Sequence, residues 1–298
     1  MEIRRVAVIG SGQMGTGVAQ VAARAGFETV LFKMTDGSVD AGKQKIAKAL
    51  QREVDKQRCS EQDLNDTLGR LECTNLIHDL AECDLVIESI IEDLEEKRRL
   101  LGRLDDVVKA AGIFATNTST LSVTALAEAT RRPERVIGLH FFNPAPVMKL
   151  VEVVPTLLTD AAVLGAAQAF AQRLGKTGVV VRDFTGFVVN RLLTPYMVDA
   201  IRTLQEGLGS ITALDSAMQL GANHPMGPLA LADFIGLDIV FHMASNLYEE
   251  YREPRFTPPP LLRRLVLAGF LGRKSGKGFY DYATTPPTPN DWLVGNPD

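Results

Sequence analysis

Arg5-Val6-Ala7-Val8-Ile9 reads as a buried strand and runs straight into Gly10-Ser11-Gly12-Gln13-Met14-Gly15. Val18, Val21, Ala22 and Ala25 then recur at helical spacing until Gly26, a natural C-terminal stop. No other stretch constrains the fold as tightly, because G-x-G-x-x-G between a strand and a helix dictates a βαβ unit that holds a dinucleotide. Gly10 permits the tight turn, Gly12 lets backbone approach a pyrophosphate, and Gly15 lets the helix pack on the strand. The helix start adds unpaired N–H donors and positive partial charge for the phosphates. Gly10, Ser11, Gly12, Gln13, Met14 and Gly15 are therefore the expected cofactor loop.

The next strand, expected at Glu28–Phe32, ends where an acidic residue normally accepts the adenosine ribose hydroxyls and selects NAD. Lys33 stands there instead, with Thr35 and Asp36 close behind. Lys33 could hold the 2′-phosphate of NADP; equally, Asp36 could take the ribose from a shifted turn while Lys33 is solvated. Asp40–Arg58 is expected as a polar helix with Lys45, Lys48, Arg52 and Lys56 along one face. Most such stripes are merely solvated, and the functional alternative is a landing strip for an anionic acyl carrier. Further strands are expected at Asp84–Ile90, followed by Glu92 and Lys97, and at Ile113–Thr116, followed by Asn117-Thr118-Ser119-Thr120. Their C-terminal ends lie where open α/β sheets bind ligands. Ser122 can cap a helix over Val123–Thr130, which leaves the Ser119 hydroxyl at the mouth of the cleft.

Val136–Phe142 is an apolar strand-like run with His140 near its end, and Asn143-Pro144-Ala145-Pro146 breaks it. A second run, Lys149–Val154, carries Glu152 among Leu150, Val151, Val153 and Val154. A carboxylate in a continuous apolar strand is costly to desolvate without a partner, and His140 is the nearest titratable candidate. An imidazole held by a buried carboxylate is an oriented general base. On the pair alone, a satisfied core histidine beside a water-facing glutamate explains the pattern equally well.

At 298 residues the chain can form two domains. Its net charge of −4 and pI near 5.7 argue against general nucleic-acid or anionic-membrane binding. A strand near Ile3 leaves no room for a signal peptide, and no stretch is long enough to span a bilayer. Cys59, Cys73 and Cys83 lack metal-ligand spacing and suit free thiols in a reducing cytoplasm. Thr257-Pro258-Pro259-Pro260 is expected as a loop and Thr284–Asp298 as a mobile end.

These motifs together resemble the 3-hydroxyacyl-CoA dehydrogenase family. GSGQMG, IESIIED, ATNTST, GLHFFNPAPVMKLVEVV, TGFVVNRLL, HPMGPLALADFIGLD and GRKSGKGFYDY stand in the family's order over nearly the whole chain. The resemblance implies a Rossmann-like, doubly wound α/β domain over residues 1–183, followed by an all-α substrate and dimerisation domain over 184–298. It implies an NAD-linked alcohol dehydrogenase of fatty acid metabolism, acting as a homodimer. His140 is similar to the catalytic base, Glu152 to the carboxylate that orients it, and Ser119 and Asn190 to the polar contacts on the substrate oxygen. Glu92, Lys97, Ser119, Asn143 and Lys274 fall on dinucleotide-contacting positions, and Lys56 on a CoA contact. Two departures stand out: Lys33 replaces the usual acidic ribose ligand, and Ala49 stands where some members carry a CoA-binding serine. NADP and an acyl-carrier-protein thioester are the corresponding alternatives.

In the second half, Phe184–Glu206 reads as a long helix with Pro195 inside it, which predicts a kink or restart. Asn190 is a poor helix-interior residue and is expected to have a partner, structural or substrate. Ile211–Leu220 and Leu229–Tyr251 continue the helical pattern, and Gly269–Tyr282 reads as a closing loop from which Lys274 reaches the cleft. His224 sits in a Pro- and Gly-rich turn and is read as structural, as are His78 and His242. Enzymes that use a lysine base place it four residues before the asparagine, where this chain has Gly186. A sugar-acid dehydrogenase related to the lens crystallins shares the fold, but Phe141-Phe142 and Val147-Met148 suit an acyl thioester better than a polyol. A non-catalytic binding protein would be expected to have a broken His–Glu pair or glycine loop, and both are intact.

Overall fold

A computed structural model describes residues 1–34 and 38–291. Thr35 and Asp36, and with them the shifted-turn reading of the ribose ligand, lie outside the described residues, as does the tail from 292 onward. The chain divides into two compact units, Met1–Phe187 and Val188–Asp298.

The first unit is built on an eight-stranded sheet: β1 (Arg5–Ile9), β2 (Glu28–Phe32), β3 (Leu71–Thr74), β4 (Leu85–Glu88), β5 (Ile113–Thr116), β6 (Val136–Phe141), β7 (Leu150–Pro155) and β8 (Thr177–Val180). Strand order is β3-β2-β1-β4-β5-β6-β7-β8, parallel throughout except where β6 and β7 run antiparallel. Both faces are covered, which is why β1 is apolar at every position after Arg5. Val6 and Val8 join a core with Val18 and Ala22 of α1 (Gln13–Arg24) and Phe170 of α6 (Ala161–Arg173). Ala7 and Ile9 join another with Leu100, Leu101 and Leu104 of α4 (Leu94–Val107) and Leu126 of α5 (Val123–Ala127). The polar segment after β2 forms α2 (Ala41–Asp55), shorter than expected at both ends, and Ser60 opens α3 (Glu61–Gly69) with a capping box. Cys83 is buried, which pushes its thiol up to about 11.

The second unit packs α7 (Val189–Gln205), α8 (Ile211–Gly221), α9 (Pro228–Ile235), α10 (Leu237–Tyr251) and α11 (Pro260–Leu267) around Met197, Ile201, Leu204, Leu237, Val240 and Phe279. Pro195 does not restart α7; one helix runs through it, held by the burial of Met197, Val198, Ile201 and Leu204 beyond the proline. The expected single run Leu229–Tyr251 is instead two helices bent by 96°, because Gly236 at φ +109° turns the chain between them. The proline segment is not all loop, since Pro260 opens α11. Nor is the unit helical to its end. β9 (Tyr280–Asp281) and β10 (Thr288–Pro289) form an antiparallel pair, and Asn290 Nδ2 donates to the Gly278 carbonyl at 2.8 Å. Part of the expected mobile end therefore forms a strand and a side-chain contact back to Gly278. Among the described residues no single helix is long and apolar enough to cross a membrane.

Candidate active site

The glycine loop walls a cavity of about 590 Å³ at the C-terminal ends of β1, β4 and β5, with Met34, Ser89, Ile90 and Asn117 opposite. Gly10 lies at φ +110°, and a Cβ on Gly15 would stand 1.8 Å from the Gly10 carbonyl oxygen, so neither position accepts a side chain. Gly12 differs: a Cβ there would meet nothing within 4 Å, and the loop lines open space. No side chain caps α1, which leaves its first N–H groups for phosphate oxygens. These features fit a dinucleotide pyrophosphate.

Behind this cavity lies a buried charge network. Glu88, the last residue of β4, is fully buried and accepts from Lys97 Nζ at 2.9 and 2.8 Å and from the Thr116 hydroxyl. Lys97 is itself 1% exposed and lies 3.4 Å from Glu92. Glu92 Oε1 in turn gathers Thr118 Oγ1 at 2.6 Å, the Ser119 N–H at 2.9 Å and the Thr120 N–H at 3.1 Å. Burial alone would raise the Glu92 carboxyl, but the Lys97 ammonium and these donors hold it below the usual carboxylate range. Glu92 and Lys97, expected as direct dinucleotide contacts, thus form the frame of the loop that carries Ser119. The Ser119 hydroxyl donates to Glu92 at 3.2 Å in this structure.

His140 and Glu152 face each other across the antiparallel β6–β7 pair. Nδ1 of the ring and Oε2 of the carboxylate are 2.6 Å apart, at side-chain exposures of 7% and 1%. A carboxylate can only accept, so the shared proton belongs to Nδ1 and the Nε2 lone pair is left outward. Nε2 has no hydrogen-bond partner among the described residues. Phe142 and Phe187 wall the ring, with centroids 4.5 and 5.5 Å from it. Phe187 reaches this place through an unusual backbone, φ +46°, directly after Gly186 at φ +80°. Asn117 joins the two halves of the site. It lines the cavity, accepts the Phe141 N–H on Oδ1 at 2.8 Å and donates from Nδ2 to Ser89 Oγ at 3.0 Å.

Glu88, Asn117 and Phe187 were given no role by the sequence reading. Glu88 carries a signal as another acid at the end of an apolar strand, and Asn117 carries one by following the Ile113–Thr116 strand at the ligand-binding end of the sheet; Phe187 carries none.

The remaining candidates are more scattered. Lys33 follows β2, and its ammonium reaches the Ser38 carbonyl at 3.4 Å. Asn143 is exposed just past β6 and makes a cis peptide with Pro144. Lys56 caps the end of α2 and is exposed, like Lys45 and Lys48. Within the second unit, Asn190 sits in the first turn of α7, and its amide makes no hydrogen bond among the described residues; the expected structural partner is not there. Lys274 pairs with Asp238 at 2.5 and 2.6 Å. His224 Nδ1 lies 2.8 Å from Tyr196 Oη.

Residues 5–184 match the NAD binding domain of 3-hydroxyacyl-CoA dehydrogenase, and residues 186–282 match its C-terminal domain. A 3-hydroxybutyryl-CoA dehydrogenase of Bradyrhizobium diazoefficiens is 47% identical over 96% of this chain and 98% of its own. Among solved structures, FadB2 of M. tuberculosis superposes with a TM-score of 0.93 at 45% identity, over 95% of this chain and 100% of that one. The (S)-3-hydroxybutyryl-CoA dehydrogenase of Ralstonia eutropha gives 0.91 at 42%, again over 95% and 100%. A cavity shaped for a dinucleotide, a buried His–Glu pair at the end of β6 and these likenesses lead to one conclusion: the chain is an NAD-dependent enzyme belonging to the 3-hydroxyacyl-CoA dehydrogenase family.

Proposed function

We propose that the enzyme interconverts 3-hydroxybutyryl-CoA and acetoacetyl-CoA, with His140 as the base and Glu152 as the residue that orients it. The observation that carries this reading is the 2.6 Å His140–Glu152 contact with Nε2 left unpartnered. In the oxidative direction Nε2 takes the C3 hydroxyl proton, and in the reductive direction it returns it. The Glu152 carboxylate offsets the positive charge that forms on the ring, and Phe142 and Phe187 keep water from that pair. NAD bound along the glycine loop supplies the hydride acceptor. Glu92, Lys97, Asn143 and Lys274 serve the dinucleotide, the first two through the loop that they hold. Ser119, once turned from Glu92, and Asn190 polarise the substrate oxygen, while Lys56 meets the CoA phosphates. The helical region, residues 184–298, supplies the interface of a homodimer.

The deciding experiment pairs NADH or NADPH with acetoacetyl-CoA or a carrier-protein acetoacetyl thioester. NADH oxidation with the CoA ester, lost by about 10²-fold or more in His140→Gln, is the expected result. No turnover with the CoA ester, or near-normal turnover in the variant, removes the reading.

A further inference from the structure

The first unit has a second cavity, of about 410 Å³, between the end of α1, the turn at Pro146–Lys149 and the end of α6. Four of its lining residues are basic (Arg24, Lys149, Arg173 and Lys176) and none is acidic. Arg24 already has a counterion, Glu53 at 2.8 Å. Lys176 has none. It is 9% exposed, its Nζ donates to the carbonyls of Ala145 at 2.6 Å and Met148 at 2.5 Å, and no carboxylate among the described residues pairs with it. Two carbonyl dipoles do not cancel a buried ammonium, and they leave its third N–H unused. Burial accordingly pushes the Lys176 amine down, with no neighbouring acid to oppose it. Gln20 lines the same cavity, and its side-chain amide makes no hydrogen bond among the described residues. Arg173 spends one Nη1 donor on the Ile3 carbonyl at 3.1 Å, and Lys149 has no ion pair among the described residues.

Positive charge without a counterion, beside an amide with a donor to spare, is answered by an oxyanion. Donors brought to one cavity from α1, the turn and α6 suit a tetrahedral anion with several acceptor oxygens better than a carboxylate with two. We propose that this cavity binds a small phosphate-bearing anion, either free phosphate or a phosphate monoester. Because Lys176 also ties down Ala145 and Met148, the bound anion braces the turn that joins the His140 and Glu152 strands.

The test is thermal unfolding at matched ionic strength, in chloride against about 20 mM inorganic phosphate, with excess NADH keeping the glycine loop filled. Phosphate is expected to raise Tm by about 2–4 °C. Lys149→Glu, at an exposed side chain whose change leaves the fold intact, should remove most of that rise, and Lys176→Met all of it. Glycerol 3-phosphate in a parallel arm assigns the ligand: an equal rise points to monoesters, and a rise with inorganic phosphate alone points to the free ion. Equal Tm values in phosphate and chloride would overturn the proposal, and so would a phosphate rise that survives unchanged in Lys149→Glu.

Discussion

Asn117 Oδ1 accepts the backbone N–H of Phe141 at 2.8 Å, one residue beyond His140. One side chain therefore lines the dinucleotide cavity and pins the end of the strand that carries the base. Asn117→Ala leaves the Phe141 N–H unpaired, at a cost of about 1–3 kcal/mol, and frees the His140 end of β6. Turnover should fall about tenfold or more, with weaker NADH binding. Asn117→Asp keeps the acceptor and should recover most of the stability in urea unfolding. Equal stability of the alanine and aspartate variants would show that this bond does not hold the strand.

The buried Glu88–Lys97 pair makes a different kind of prediction. Lys97→Met strands the Glu88 carboxylate in a fully buried site and should cost about 3–5 kcal/mol. Adding Glu88→Gln removes the stranded charge, so the double variant should be more stable than Lys97→Met alone. A strictly additive double variant would mean that the two side chains do not depend on one another.

Asp233 predicts a pH dependence within the second unit. It accepts the N–H groups of Phe279 at 3.0 Å and Tyr280 at 2.9 Å and the Tyr282 hydroxyl at 3.0 Å, which ties α9 to the β9 segment. Burial outweighs these donors and pushes its carboxyl up to about 6. A raised carboxyl contributes stability that is fully present below its ordinary value near 4 and is lost as pH rises through about 6. Wild type should therefore lose about 1–3 kcal/mol relative to Asp233→Asn between pH 4.5 and 7.5. Parallel stability profiles for the two proteins would contradict this.

How much of this was legible in the chain follows from how local each signal is. The strand, glycine loop and helix of residues 5–24 are contiguous, and period, turn and stop all agree. Glu152 was legible because a carboxylate in an apolar strand demands a partner, and a short reversal offered only His140. The same reasoning applies to Glu88, but its partners Lys97 and Thr116 come from α4 and β5, and no spacing rule pairs them. Phe187 was hidden for another reason. A positive φ at phenylalanine is imposed by tertiary packing, and nothing local announces it. Pro195 left a kink or a restart open, and burial of the following residues, which no local propensity reports, keeps one helix through it. The ribbon of β9 and β10 was lost in a proline-rich tail whose composition suggests disorder.

The most direct test of the His140–Glu152 account is the steady-state kinetics of Glu152→Gln in acetoacetyl-CoA reduction by NADH. Glutamine keeps the shape and an acceptor for Nδ1–H but removes the charge that balances the imidazolium. The expected result is a kcat lowered about 10²–10⁴-fold, with KM for the thioester changed by no more than a few-fold. A kcat within about threefold of wild type would show that the buried carboxylate does not serve the base, and the proposed proton transfer would fail with it.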